Sequence, residues 1–399
     1  MRILHVIPTA DPASGGPIEG VRMLAHIYKR GGHEMELATL DAPGKAAQIS
    51  FPAPVHGLGP GLGLYGFSWR ALPWFKRNLA RFDVVILNTI WQYSTVAAYL
   101  ALRRTRIPFG IYTHGMLDPY FKRRFPLKHI KKLVYWFVIL RHAMQRANTI
   151  FFTAEEERLL ARQSFPGYGV HETVVPYGTM GPECELAPAV EKFFAQWPQL
   201  RGKRLAITLG RIHPKKGVDL LIEAFARTMA HDPDWQLVIV GPDQIGWKKD
   251  LEELAQRLGI AHRICWIGLL QGDLKWGALA ASEVFVLPSH QENFGIVVAE
   301  ALSCGLPVIL SNRVNIWREV VNDRAGLVND DTLDGVIASL RRWMELTPQE
   351  IAEVGQRSFK CYQEQFNLHR NAGRNLDALV KLMRGDEGRT ALKEVSAAR

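Results

Sequence analysis

FVLPSHQENFGIVVAEALSCGLP, residues 285–307, holds two carboxylates, Glu292 and Glu300, with seven residues between them. The apolar run that ends at Leu287 predicts a buried strand. A helical pattern starts near Phe294, and Gly295 marks the junction. The first N–H groups of such a helix have no intrahelical acceptor, and its dipole favours negative charge, so the loop-to-helix junction is an anion site. Glu300 lies about six residues into the helix, roughly 9 Å along its axis, while Glu292 sits in the loop before it. The two cannot grip one atom. They can hold the two ends of an extended ligand with a diphosphate between them, and a sugar nucleotide has that shape. E-x7-E alone equally describes two surface glutamates beside a helix. The strand before it, the PSHQENFG loop and the small-residue ALSCG stretch favour ligand binding.

A second segment, LAITLGRIHPKKG (205–217), is followed by DLLIEAFA. It predicts a strand, a turn-rich loop and an amphipathic helix. Arg211 and Lys216 stand in that loop; arginine pairs bidentately with phosphate, and lysine adds a compact charge.

QENFGIVVAEALSCGLPVI resembles the E-x7-E segment of GT-B fold glycosyltransferases, specifically the retaining family 4 (group 1) enzymes, and the Arg211–Lys216 loop resembles their GR…KG signature. The resemblance implies two Rossmann-like α/β domains facing a central cleft that closes on the donor. It implies that Glu292 contacts the donor sugar, with Asn293 and Phe294 beside it in the donor site. Gly295 and Ile296 would present N–H groups to the diphosphate, Glu300 would take the ribose hydroxyls, and Arg211 and Lys216 would hold the departing diphosphate. Ile267, in RICWIG, would meet the nucleotide base through its backbone.

The amino terminus supplies the other half. MRILHVIPTA reads as a buried strand without the charge and h-region of a signal peptide. A glycine turn at Gly15 and Gly16, a helix and a second strand complete a βαβ unit. Such a turn also serves backbone needs alone, but in the family this loop lies beside the donor phosphates. In FGIYTHGML, His114 follows a strand, where open α/β sheets bind ligands. It resembles the family's HG position, which implies contact with the donor sugar near the reacting carbon. Asn88, Thr89 and Trp91 of LNTIWQYS, and Tyr120, are candidates for the acceptor pocket, or ordinary strand-end residues.

Two motifs mislead. GLGLYG (Gly61, Gly63, Gly66) matches a dinucleotide fingerprint with Asp83 about 20 residues beyond, but prolines and glycines break the strand that should precede it. Asp232-Pro233-Asp234 is formally a DxD, yet it reads as a turn before the strand WQLVIVG, so no catalytic metal and no cofactor are expected. The four cysteines are scattered without a CxxC pair, as in a reducing cytoplasm.

The 399 residues, 47% hydrophobic, suit two domains. Strand-like runs alternate with helical patterns: RILHVI, MELATL, VVILN, FGIYTH and TIFFTA, then LAITLG, QLVIVG, RICWIG, VFVLP and PVILS. That alternation predicts two parallel sheets covered by helices. The expected division is an acceptor domain over 1–180, a donor domain over 200–375, and a helix end and tail over 376–399. The linker is placed near 179–203. One long last helix is expected over 348–384, crossing back to the first domain as in the family, with a frayed tail from residue 385.

The net charge of +10 is uneven. Residues 119–154 carry eight Lys/Arg and no Asp/Glu, interleaved with aromatics, and WRALPWFKRNLAR (69–81) repeats the theme. Such segments suit an anionic membrane; no nucleic-acid module accompanies them. The apolar run LVYWFVIL is far shorter than the ~20 residues of a membrane span. The sequence therefore predicts a hexosyltransferase at the inner face of the cytoplasmic membrane. It would act on a glycan or lipid-linked acceptor in bacterial surface polysaccharide or lipopolysaccharide synthesis. A nucleotide-sugar epimerase, a phosphorylase or a non-catalytic scaffold of the same fold are the alternatives. Retention of sugar configuration is implied by the resemblance alone.

Overall fold

A computed structural model describes residues 1–384. The chain divides into two compact units, Met1–Pro176 with the segment from Asn371 onward, and Tyr177–Arg370. The segment expected as linker carries the helix Leu186–Gln196 and belongs to the second unit. The expected tail from residue 385 lies outside the described residues.

Among the described residues thirteen strands form in chain order: β1 (Arg2–Val6), β2 (Glu34–Thr39), β3 (Val55–Gly57), β4 (Val84–Asn88), β5 (Phe109–Tyr112), β6 (Thr149–Phe152), β7 (Glu172–Val174), β8 (Arg204–Leu209), β9 (Trp235–Val240), β10 (Ile264–Ile267), β11 (Val284–Leu287), β12 (Val308–Ser311) and β13 (Gly326–Asn329). The first unit holds a seven-stranded sheet ordered β3-β2-β1-β4-β5-β6-β7, and the second a six-stranded sheet ordered β10-β9-β8-β11-β12-β13. The strand pairings within both sheets are parallel; Ile3, for example, faces Met35 on β2 and Val84 on β4. All ten strands expected from apolar runs are present. The three others, β3, β7 and β13, are sheet edges of only half-buried residues, so they lack the apolar run that marks a central strand.

Helices cover the sheets because parallel strands need crossovers. In the first unit Leu4 and Val6 of β1 pack with Phe75, Trp136 and Phe152. In the second, Ala206 of β8 packs with Ile222, Phe225, Trp235 and Trp343. The expected helix over 348–384 is broken. Helix Pro348–Cys361 runs into a wide turn at Tyr362–Phe366, and a separate helix, Ala372–Arg384, belongs with the first unit. The break has a backbone cause: the Thr179 N–H donates to Phe366 O (3.1 Å), and the Leu368 N–H donates to Thr179 O (3.2 Å). This pairing draws the chain out of the helix.

Gly217 ties the loops after β8 and β11 together. Its φ is +65°, and a Cβ there would stand 2.3 Å from Pro288 O. Gly15 has φ +95° but open space around it. Gly15→Ala should therefore cost about 1 kcal/mol of strain, whereas Gly217→Ala adds a backbone clash and should cost roughly 2–4 kcal/mol. Urea titration of both variants tests this; equal costs would show that the loop contact does not constrain the second unit.

Candidate active site

In each sheet the strand order reverses once, between β1 and β4 and between β8 and β11. The crossovers after those strands leave for opposite faces of the sheet, and the carboxyl-end edge at that point is the usual ligand site of a doubly wound sheet.

In the second unit the loops after β8 and β11 flank that reversal. They carry the expected charges and touch. The His290 N–H donates to Lys215 O (2.8 Å), and the Lys216 ammonium pairs with the Glu292 carboxylate. Glu292 is pinned by its backbone, donating from N–H to Arg313 O (3.0 Å) and accepting from Asn315 N–H (3.1 Å). Gly295, at φ 69° and ψ 61°, caps the helix Ile296–Ser303. A left-handed cap here suits glycine and leaves the first-turn N–H groups of Gly295 and Ile296 facing out of the helix end. Arg211 is exposed, and its guanidinium donates to Gln244 Oε1 (3.2 Å). Glu300 is buried, and Lys275 Nζ donates to it (2.8 Å) while lying 4.2 Å over the Trp276 ring. Lys216, Glu292 and the helix start thus meet at one crevice.

Three other expected donor residues, Phe294, Asn293 and Ile267, have these surroundings. Phe294 is buried, with its ring edge-on to Tyr177 (6.2 Å) and Phe366 (5.7 Å). Asn293 Oδ1 accepts from Asn315 Nδ2 (3.4 Å), and Ile267 O accepts from Gly241 N–H (3.0 Å). Asp232 Oδ1 accepts from Asp234 N–H (3.0 Å), an ordinary turn. Among the described residues no cluster of His, Cys, Asp or Glu could hold a metal ion, and the four cysteines are free.

In the first unit the β1 loop with Gly15 and Gly16 is held by Asp41, which accepts from Thr9 Oγ1 (2.8 Å) and Ala10 N–H (2.8 Å). Beside it His114 follows β5 at φ 48°, and Thr89 follows β4 at φ 112°. Both are sparsely populated conformations for residues with side chains, and such strain gathers at functional sites. Glu157 braces the turn: its Oε1 accepts from Thr113 Oγ1 (2.7 Å) and from Gly115 N–H (2.6 Å), the residues on either side of His114. Its Oε2 accepts from Thr153 N–H (2.7 Å) and Oγ1 (2.8 Å). The His114 ring stacks on Tyr112 (5.5 Å, 19°).

Asn88 fixes the protonation of His114. Its Nδ2 lies 3.3 Å from both Val6 O and Ile86 O, which can only accept, so Oδ1 is the atom facing His114 Nε2 at 3.4 Å. Neutral His114 therefore carries its proton on Nε2 and a lone pair on Nδ1. Asn88 Nδ2 also lies 3.1 Å from His5 Nδ1, and His5 Nε2 is a buried atom without a partner among the described residues. Burial lowers both histidines from 6.5 to about 3, and His114 further lowers His5. Asn88 is fully buried, while Trp91 and Tyr120 are half-buried; Trp91 Nε1 donates to Met116 O (3.3 Å).

Sequence reasoning missed His5, Glu157 and Lys275. A histidine inside the apolar run RILHVI was a usable signal. Glu157 is one of three consecutive glutamates at a helix start, and nothing in the sequence distinguishes the inward one.

Two family models match the chain. Residues 189–357 match the family model "Glycosyl transferases group 1", and residues 15–178 match "Glycosyl transferase 4-like domain". A D-inositol 3-phosphate glycosyltransferase of Rhodococcus jostii is 38% identical over 127 residues, which is 31% of this chain but only 28% of that protein. The O-antigen chain mannosyltransferase B of Escherichia coli is 28% identical over 197 residues, covering 47% of this chain and 50% of that protein. The structure of Anabaena Alr3699/HepE in complex with UDP and glucose superposes with a TM-score of 0.76 at 18% identity, over 96% of this chain and 100% of that one. The chain belongs to the group 1 glycosyltransferases of the GT-B fold.

Two outcomes follow for the histidines. Nitrogen-15 NMR of the imidazoles should find His114 neutral and protonated at Nε2 at pH 6, with Asn88→Leu releasing a mixture of tautomers; a cationic or Nδ1–H ring in the unaltered protein would refute the assignment. Between pH 6.5 and 3 the unfolded histidines take up protons that the folded ones refuse. Their stabilising contribution is therefore complete above pH 6.5 and declines as pH falls through that window. Chemical denaturation should show a shallower decline in His5→Gln.

Proposed function

We propose that this chain is a retaining hexosyltransferase that moves a sugar from a nucleotide-diphosphate sugar to a glycan or lipid-linked acceptor. The observation that carries the donor side is the pairing of Lys216 with Glu292 at the start of helix Ile296–Ser303. It sets a cation, a hydrogen-bond acceptor and an anion-binding helix end within one crevice. These are the groups that a sugar joined to a phosphate requires. The relative crystallised with UDP and glucose, and the O-antigen mannosyltransferase, support a nucleotide sugar and a surface-polysaccharide or lipopolysaccharide pathway. The basic segments of the first unit favour work at the inner face of the cytoplasmic membrane.

In this scheme the bond between the sugar C1 and the diphosphate oxygen breaks, and its electron pair leaves with the diphosphate. The acceptor oxygen bonds to C1 on the same face, and its proton passes to the departing diphosphate oxygen. Arg211, Lys216 and the N–H groups of Gly295 and Ile296 meet the growing negative charge, the largest lever in such reactions. Glu292 accepts from a sugar hydroxyl, and Glu300 accepts from the ribose. His114, neutral, accepts a sugar hydroxyl at Nδ1. Neither a metal nor a cofactor takes part.

The test is a panel of UDP-, GDP- and ADP-sugars with a membrane extract, following nucleotide release and sugar transfer. Acceptor-dependent release from one donor is expected, falling roughly 100-fold in Lys216→Ala and Glu292→Ala. Failure to bind any nucleotide sugar would refute the proposal, and donor turnover without transfer would favour an epimerase.

A further inference from the structure

Large apolar side chains left exposed among the described residues are concentrated in two short segments of the first unit. One is the glycine motif 61–66 with the residues after it, which has no part in the proposed donor site. It folds as a closed turn. The Leu62 N–H donates to Phe67 O (2.8 Å), and the Phe67 N–H donates back to Leu62 O (3.1 Å). Gly63 and Gly66 take the left-handed conformations that the turn requires, at φ 63° and 72°. Leu64 stands fully exposed at the tip, with Leu62, Phe67 and Trp69 exposed behind it. The base of the turn is fastened by the Tyr93 N–H, which donates to Tyr65 O (2.9 Å).

The second segment is helix Pro126–Tyr135 and the wide turn Trp136–Leu140 that continues it. Leu127, Ile130, Val134 and Val138 are exposed at spacings of three and four, so they form one apolar stripe. The Arg141 N–H reaches back to Trp136 O, a five-residue bond, and this wider turn leaves Phe137 exposed beside Val138. The two segments adjoin. The Tyr65 ring meets the Tyr135 ring edge-on at 6.2 Å, and Tyr135 contacts Trp91, over which Lys132 Nζ lies at 4.4 Å.

We infer that the turn 62–67 and the helical stripe 127–138 form one surface that docks on an anionic lipid bilayer, with Leu64 as its inserted tip. Charge selects the occupant. No acidic residue occurs in 57–82 or 119–154, while Arg70, Lys76, Arg77, Lys128 and Lys131 are exposed within those segments. A second copy docked by two-fold symmetry would bring this cationic surface against itself. A bilayer with anionic headgroups meets the charges and buries the apolar side chains together. No helix among the described residues is long and apolar enough to cross a membrane, so the contact lies on the surface. Because the turn is already closed by its own hydrogen bonds, insertion orders little new backbone. The surface gives the proposed enzyme access to a membrane-borne acceptor, but its test reads binding alone, and its failure would leave the transferase reading standing.

The experiment is co-sedimentation of the full chain with vesicles of phosphatidylcholine, alone or with about a third phosphatidylglycerol. Binding to the anionic vesicles is expected, with a blue shift of tryptophan fluorescence. Leu64→Asp and Val138→Asp should each lower the partition roughly 10-fold. Leu269→Asp, at an exposed leucine of the second unit, should leave it unchanged. Leu64 is fully exposed, so its replacement spares the core, and circular dichroism confirms folding. Absence of binding to anionic vesicles would overturn the inference. So would binding indifferent to both substitutions, which would indicate charge alone, or a dimer in solution that Leu64→Asp dissolves.

Discussion

The parallel pairing of the strands is the constraint on which the rest of this molecule depends. It forces each strand to be followed by a crossover, so the loops at the carboxyl ends gather along one edge of each sheet. At the single reversal of strand order two such loops lie side by side, and side chains distant in sequence meet there. Lys216 and Glu292, on loops after β8 and β11, come together for this reason. His114, Asn88 and His5 come from β5, β4 and β1, the strands at and beside the reversal in the other sheet.

Central strands were legible because burial on both faces writes a run of apolar residues, as in VVILN and VFVLP. The edge strands β3, β7 and β13 were not, since their half-buried residues give no such run, whereas the edge strand β10 was marked by RICWIG. The long last helix was misread because its sequence stays helical while its backbone is claimed by Thr179, nearly two hundred residues away. Among site residues, charges in glycine-bounded loops could be found from spacing. Residues that act through others could not. Nothing near Asn88 in the chain reveals that its amide will lie between two histidines, and Lys275 becomes visible only when its helix sets it beside Glu300.

The two units solve different chemical problems. The second offers charge, from Arg211, Lys216 and a helix end. The first keeps His5 and His114 uncharged and sets neutral donors and acceptors around them. In the proposed reaction that division fits the substrate: phosphate needs positive charge, whereas hydroxyl groups need directed lone pairs. A cation at His114 would offer no lone pair at all.

The Lys216–Glu292 contact has a consequence for selectivity. The Lys216 ammonium and the Glu292 carboxylate already satisfy each other, so the pair itself is neutral while Arg211 and the helix end keep their positive character. A lone inorganic anion gains Lys216 only by leaving Glu292 stranded, and a neutral sugar gains Glu292 only by stranding the lysine. A ligand that carries phosphate and hydroxyls in one molecule replaces both partners at once. In the proposed reaction the internal pair thus acts as a two-key lock, favouring a ligand that carries both halves over either half offered separately.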